Sequence, residues 1–136
     1  IECGDHFWDL LEEGKFCLCR CAGCGRWLWE VQYGAMDIRC GECGSWDQEW
    51  PEVEPDGVIY SWHRTNQAFE GAEPFKGEIP YVTIETELLG RGGPRVLGML
   101  VGSADGLRVG AKVRGEIEPP SDKTWGYAAV RWRLVD

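Results

Sequence analysis

Cys21, Cys24, Cys40 and Cys43 are the residues whose type and spacing most directly specify chemistry. They stand in two runs of the same form, Cys21-Ala22-Gly23-Cys24-Gly25 and Cys40-Gly41-Glu42-Cys43-Gly44, separated by fifteen residues. Two residues between thiolates let one tight turn offer both sulfurs to a single ion. A glycine after the second cysteine accepts a positive φ, which frees backbone N–H groups to point at sulfur. Two C-x-x-C pairs at this separation are the pattern of a zinc ribbon. Four thiolates complete a tetrahedron and leave no position for water or substrate, so a structural ion is expected, not a catalytic one. Zinc (Zn2+) is the expected occupant; iron suits the same four sulfurs, and a redox disulfide pair is the remaining alternative. Of the other cysteines, Cys3, Cys17 and Cys19, the last two read as small apolar residues packed beneath the ribbon.

Catalysis by the chain itself finds little support, and no catalytic residue is assigned. The two histidines are His6, in a helical stretch, and His63, on the run Tyr60-Ser61-Trp62-His63-Arg64-Thr65. His63 is predicted on the opposite strand face from Tyr60, Trp62 and Arg64. It lacks the carboxylate and serine partners of a triad, which leaves it a structural or partner-contacting role. Glu85 and Glu87 could mimic an acid/base pair, but at spacing two on a strand they read as a solvated outer face. Gly90-Arg91-Gly92-Gly93 falls between two predicted strands, so it is a hairpin turn and does not open a helix to cradle phosphate. Binding residues are easier to find. The fifteen-residue connection NQAFEGAEPFKGEIP carries Phe69 and Phe75, with Pro74 and Pro80, and leads into Tyr81. Long connections are often functional. Aromatics on a stiffened loop suit a partner surface or an apolar acyl group, against the simpler reading that they fold back onto the domain. Eight tryptophans are too many for a small core to hide, so some are expected at an interface.

These residues need a frame. Residues 5–13 put Phe7, Trp8, Leu10 and Leu11 along one side of a short helix, with Asp5 as N-cap and Gly14 just past its end. Such a helix is too short to stand alone, so its apolar stripe should dock on the neighbouring domain or on another subunit. Residues 15–21 alternate as a strand entering the first knuckle, and residues 26–33 can run as a second. From about Asp47 strand follows strand: 48–54 and 57–65 about a Pro55-Asp56-Gly57 turn, then 81–89, 95–103, 112–118 and 124–134. Five or six short strands predict a small barrel. The expected division is a docking helix in residues 1–14, a zinc ribbon in 15–46 and a barrel domain in 47–136.

Charge narrows the partners. The chain carries 23 acidic against 14 basic residues, a net charge of -9, whereas a nucleic-acid binder presents cations to phosphates. No run approaches the roughly 18–20 apolar residues of a membrane-spanning helix, and signal-peptide regions are missing at the N-terminus. Paired C-x-x-C motifs suit a reducing compartment. A cytoplasmic protein without membrane contact is expected, and the opening at Ile1 without a methionine fits a module cut from a longer protein.

The order of landmarks, FWDLLEEGKF, RCAGCGRW, RCGECGSWDQEW, DGVIYSWHRTNQAF, PYVTIETELL and GLRVGAKV, resembles the domain-of-unknown-function 35 family over about residues 5–134. The resemblance implies a mainly β fold: a short N-terminal helix, a rubredoxin-like zinc ribbon, and a five-stranded OB-fold barrel. It also implies a non-catalytic accessory subunit that binds and supports a thiolase-like acyl-CoA enzyme, such as a steroid side-chain retro-aldolase, within a hetero-oligomer. In that setting the module helps to hold the acyl-CoA, and Phe69, Phe75, Tyr81 and His63 become candidate partner- or acyl-contacting residues. The sequence departs from the pattern twice. Only about Ser103–Ala111 is available for the helix that OB-folds often carry between their third and fourth strands, so that helix is expected to be absent or a single turn. Basic residues are sparse, so no strong cradle for CoA phosphates is expected. Two rival readings remain: an OB-fold module that stacks single-stranded nucleic acid on its tryptophans but lacks a cationic groove, and a stand-alone hydrolase or hydratase acting on acyl-CoA.

Overall fold

The structure, a computed structural model, describes residues 6–28, 39–67 and 73–135. The chain forms two compact units, Ile1–Glu54 and Pro55–Asp136.

In the first unit, α1 (His6–Glu12) buries Phe7 and Leu11, which lie four residues apart on one stripe. Phe7 meets Phe16 edge-on, with ring centroids 6.1 Å apart, and His6 stands edge-on to Trp50 at 4.9 Å. Part of the stripe is therefore covered by residues of its own unit. Gly14, with φ +81°, ends the helix by donating its N–H to the Leu11 carbonyl at 2.9 Å, a cap that favours glycine because no Cβ resists the left-handed backbone. The strand expected over 15–21 proves much shorter, and of the strand expected over 26–33 only residues 26–28 are described, with a single bridge at Trp27. β1 (Arg20–Cys21) pairs antiparallel with β2 (Gln48–Glu49), and isolated bridges join Cys17 to Glu52 and Arg20 to Trp27. Residues 29–38, with Trp29, lie outside the described residues. Regular pairing is short because the backbone groups turn back on themselves around the cysteines: the Cys21 N–H reaches the Arg26 carbonyl at 2.7 Å and the Leu28 N–H the Cys19 carbonyl at 2.8 Å.

The second unit is a closed five-stranded barrel. β3 (Asp56–Thr65), β4 (Tyr81–Leu88), β5 (Arg95–Leu100), β6 (Lys112–Glu118) and β7 (Ala129–Leu134) close in the order β3-β4-β5-β7-β6. All neighbours are antiparallel except β5 and β7, which run parallel. β4 shows the period of two without a break, with Val82, Ile84, Thr86 and Leu88 buried. Ile59, Val96, Val113, Val130 and Trp132 complete the interior. Two glycines make room for the buried Trp132 ring. A Cβ on Gly98 would lie 2.8 Å from its Cδ1 and 2.6 Å from the Val130 carbonyl oxygen, and a Cβ on Gly115 would lie 2.9 Å from its Cζ3. On the outside, Arg114 and Arg133 stand directly opposite each other, a repulsive pair. Asp56 takes Arg114 at 2.8 Å and Glu116 takes Arg133 at 3.0 Å, which separates the two charges.

Three expectations are corrected here. No turn occurs at Pro55-Asp56-Gly57, because β3 begins at Asp56. Gly57 serves close approach instead, since a Cβ there would fall onto the Glu87 carbonyl oxygen of β4. The run 124–134 is strand only from Ala129, because Asp122–Thr124 form a 3-10 turn. Tyr60 and Trp62 do not share a face: Ile59 pairs with Thr86 but Ser61 with Glu85, so Tyr60 is the extra residue of a bulge, which breaks the alternation. Its ring lies against Arg95, 4.2 Å from guanidinium to ring centroid, while Trp62 faces Ile84. Residues 101–111 between β5 and β6 hold turns and no helix, as the short spacing implied.

Candidate metal centre and partner-contacting residues

The two knuckles are built alike. The Gly25 N–H bonds to the Cys21 carbonyl and the Gly44 N–H to the Cys40 carbonyl, both at 2.9 Å, and the glycines take φ +81° and +79°. Each turn aims backbone N–H groups at its first sulfur: those of Cys24 and Gly23 at Cys21, and those of Cys43 and Glu42 at Cys40. The Arg39 guanidinium closes the second knuckle from outside, donating to the Gly44 carbonyl at 2.7 Å. β1 and β2 hold the knuckles in register, with Arg20 bonded to Glu49 at 2.6 Å.

The four Sγ atoms lie within 4.8 Å of one another. Two pairs join one knuckle to the other at short range, Cys21 to Cys43 at 3.5 Å and Cys24 to Cys40 at 3.6 Å. A tetrahedron with metal–sulfur bonds of about 2.3 Å has edges of about 3.8 Å, so the donor set fits one tetrahedral thiophilic ion. Cys21 and Cys40 are buried, and Cys24 and Cys43 face outward. Beneath them Cys19 and Leu28 join Cys21 and Cys40 in a small core against which Trp50 packs.

Protons are unevenly held in this cluster. The N–H groups of Cys43 and Glu42 stabilise the Cys40 thiolate and bring its pKa down to about 6, despite burial. The N–H of Cys24 likewise lowers Cys21. Cys24 receives the Arg26 N–H, which favours its thiolate, yet desolvation and the sulfurs of Cys40, Cys43 and Cys21 outweigh it and push the thiol up to about 12. Three neighbouring sulfurs that compete for charge resist a fourth thiolate until a cation joins them. Cys17, set apart, is raised first by burial and then by Glu52, the state of an unreactive packed thiol. Cys17 and Cys19 are both buried.

Of the other candidate residues, the side chains of His63 and Tyr81 are described. His63 is exposed and pairs with Thr83; Tyr81 is half-buried and pairs with Thr65. Both thus occupy the same face of the β3–β4 ribbon, in diagonal register. Phe69 lies outside the described residues, as does the side chain of Phe75. The carboxylates of Glu85 and Glu87 are engaged and form no reactive pair: Glu85 takes Arg95 at 3.3 Å and the Ser61 hydroxyl at 3.2 Å, and Glu87 takes the Gly92 N–H at 3.2 Å.

Sequence reasoning missed Trp125 and Tyr127, which it placed within a strand. They sit in a turn after the 3-10 stretch Asp122–Thr124, and Trp125 takes the left-handed values φ 58°, ψ 30°. The available signal was Ser121-Asp122-Lys123-Thr124 followed by Trp125-Gly126, a hydroxyl residue at each end of a single turn.

No curated protein matches the chain in sequence. A solved chain described as "Ltp2-ChsH2(DUF35) aldolase" superposes with a TM-score of 0.71 at 22% identity, covering 94% of this chain and 91% of that one. Residues 50–118 match the family described as "ChsH2, C-terminal OB-fold domain". That segment takes in just over half of the chain and the whole of β3, β4, β5 and β6, and the chain therefore belongs to the ChsH2 C-terminal OB-fold family, a domain-of-unknown-function 35 family.

Proposed function

We propose that this chain is a non-catalytic accessory subunit that binds and supports a thiolase-like acyl-CoA enzyme of the aldolase class, in a hetero-oligomer. The observation that carries the reading is the likeness in fold, over 94% of this chain, to a solved chain described as "Ltp2-ChsH2(DUF35) aldolase". Membership of the ChsH2 C-terminal OB-fold family points the same way. A steroid side-chain acyl-CoA is the substrate class we assign to that partner, with this subunit helping to hold it and with His63, Tyr81, Phe69 and Phe75 as contact candidates.

In the same reading Cys21, Cys24, Cys40 and Cys43 hold one zinc ion. When bound, the ion cross-links two segments fifteen residues apart, and four sulfurs leave it no position for a substrate. The protein's own part is to supply four sulfurs, two of them from buried cysteines, N–H groups that favour thiolates, and knuckle glycines that permit the turns.

Co-expression with a thiolase-like enzyme encoded beside this chain tests the assignment. The expected outcome is copurification and turnover of an acyl-CoA only when both chains are present. A thiolase-like enzyme that is soluble and fully active alone contradicts the role. Tight retention of single-stranded DNA at low salt would favour the nucleic-acid reading instead.

A further inference from the structure

Trp125 incurs two costs that the isolated chain does not recover. Its backbone is left-handed, a conformation in which Cβ crowds the following carbonyl of any residue but glycine. Its side chain is 70% exposed, the most exposed of the large apolar residues described, so burial offsets neither the strain nor the apolar surface left in water. The same turn presents Tyr127, 48% exposed.

The turn is nevertheless held firmly. The Ser121 N–H donates to the Thr124 hydroxyl at 3.0 Å, the Gly126 N–H to the Ser121 carbonyl at 2.9 Å, and the Tyr127 N–H to the Thr124 carbonyl at 3.1 Å. Lys123 is bonded at 3.0 Å to Glu78, at the end of the 3-10 helix Glu73–Glu78 in the connection between β3 and β4. Two loops of the barrel are thus tied together two residues before the exposed Trp125. They are the two that OB-folds commonly use to contact ligands. Strain kept in place by surrounding bonds, at a residue that contributes nothing to the core, marks a site shaped for something outside the chain.

We propose that the Ser121–Tyr127 turn is a preformed anchor that inserts Trp125, flanked by Tyr127, into an apolar pocket of a protein partner. This deepens the accessory-subunit reading and rests on it. Tryptophan and tyrosine are the residues that most often dominate binding energy at protein interfaces, and a fixed turn lowers the entropy lost on docking. A convex aromatic knob calls for a concave receptor. Two copies of a chain at net charge -9 repel each other, whereas a partner pocket with a basic rim would be attracted. Nucleic acid fits less well, because Lys123 is bound by Glu78 and Asp122 stands beside it.

The test measures affinity for the co-expressed thiolase-like enzyme, by interferometry, alongside thermal melting of the free subunit. Trp125→Gly removes the ring and relieves the left-handed strain. It is expected to melt at or above the wild-type temperature yet to bind at least about tenfold more weakly, while Val109→Ala, at another exposed apolar position, binds as wild type. Wild-type affinity in Trp125→Gly overturns the anchor alone. No binding by the wild-type subunit overturns both the anchor and the accessory role. If Trp125→Gly folds poorly, Tyr127→Ser decides: weaker binding at a temperature where it is fully folded supports the anchor, and unchanged binding overturns it. Self-association or DNA binding that Trp125→Gly abolishes would assign the turn to a second copy or to nucleic acid and overturn the proposal.

Discussion

At the scale of single residues, the four sulfurs differ in when they give up their protons, and that makes metal binding depend on pH in a definite direction. Above about pH 6 Cys40 is already a thiolate, and zinc displaces no proton from it; Cys24, pushed up to about 12, loses its proton only when the ion arrives. As pH falls through about 6, Cys40 takes up a proton that binding must then expel. Apparent zinc affinity should therefore drop about tenfold more per pH unit below 6 than above it, as read by competition with a chromophoric chelator. A constant slope from pH 5 to 7 would contradict the picture. Replacing the sulfur should be more drastic. Cys40→Ser is expected to lower the zinc content from about one ion per chain to a small fraction and to remove most of the roughly 10 kcal/mol that a structural zinc contributes, as read by elemental analysis and by proteolysis within residues 15–54. The cluster was legible in the sequence because two tight turns dictate the ligand spacing locally. The turn carrying Trp125 was not, because exposure and left-handed strain leave no periodic trace.

At the scale of elements, glycine separates what spacing can reveal from what contact decides. Gly25 and Gly44 were readable because a knuckle demands positive φ after its second cysteine, and both adopt it. Gly57 was misread as part of a turn, since the nearness of the Glu87 carbonyl depends on how β3 lies against β4. Its substitution should show the difference. Gly57→Ala is expected to destabilise the barrel by about 2–3 kcal/mol, because the new methyl meets backbone rather than a side chain that could move. Gly98→Ala should cost a similar amount by displacing Trp132. Urea unfolding followed by tryptophan fluorescence measures both, and midpoints within error of wild type would show that the barrel yields at these contacts. The bulge at Tyr60 belongs to the same class: alternation predicts a regular face, and only pairing with β4 shows one residue too many.

At the scale of the whole molecule, two compact units with different sources of stability should unfold separately. The first has a small core around its cysteines, while the second closes a barrel over Trp132 and its apolar neighbours. Removing metal with a strong chelator is therefore expected to abolish a lower, chelator-sensitive transition in calorimetry and to leave the barrel transition within a few degrees of its original position. A single transition that shifts as a whole would show the two units to be coupled. The sequence by itself determined the four-cysteine cluster, the alternation of β4, a small barrel of five or six short strands and the resemblance to the domain-of-unknown-function 35 family, because each is carried by spacing within a short stretch or by the order of such stretches. Tertiary structure alone decided the closure β3-β4-β5-β7-β6, the faces of Tyr60 and Trp62, the tie from Lys123 to Glu78 and the exposure of Trp125. Those features depend on which distant residues come to lie side by side, and local propensity does not encode that adjacency.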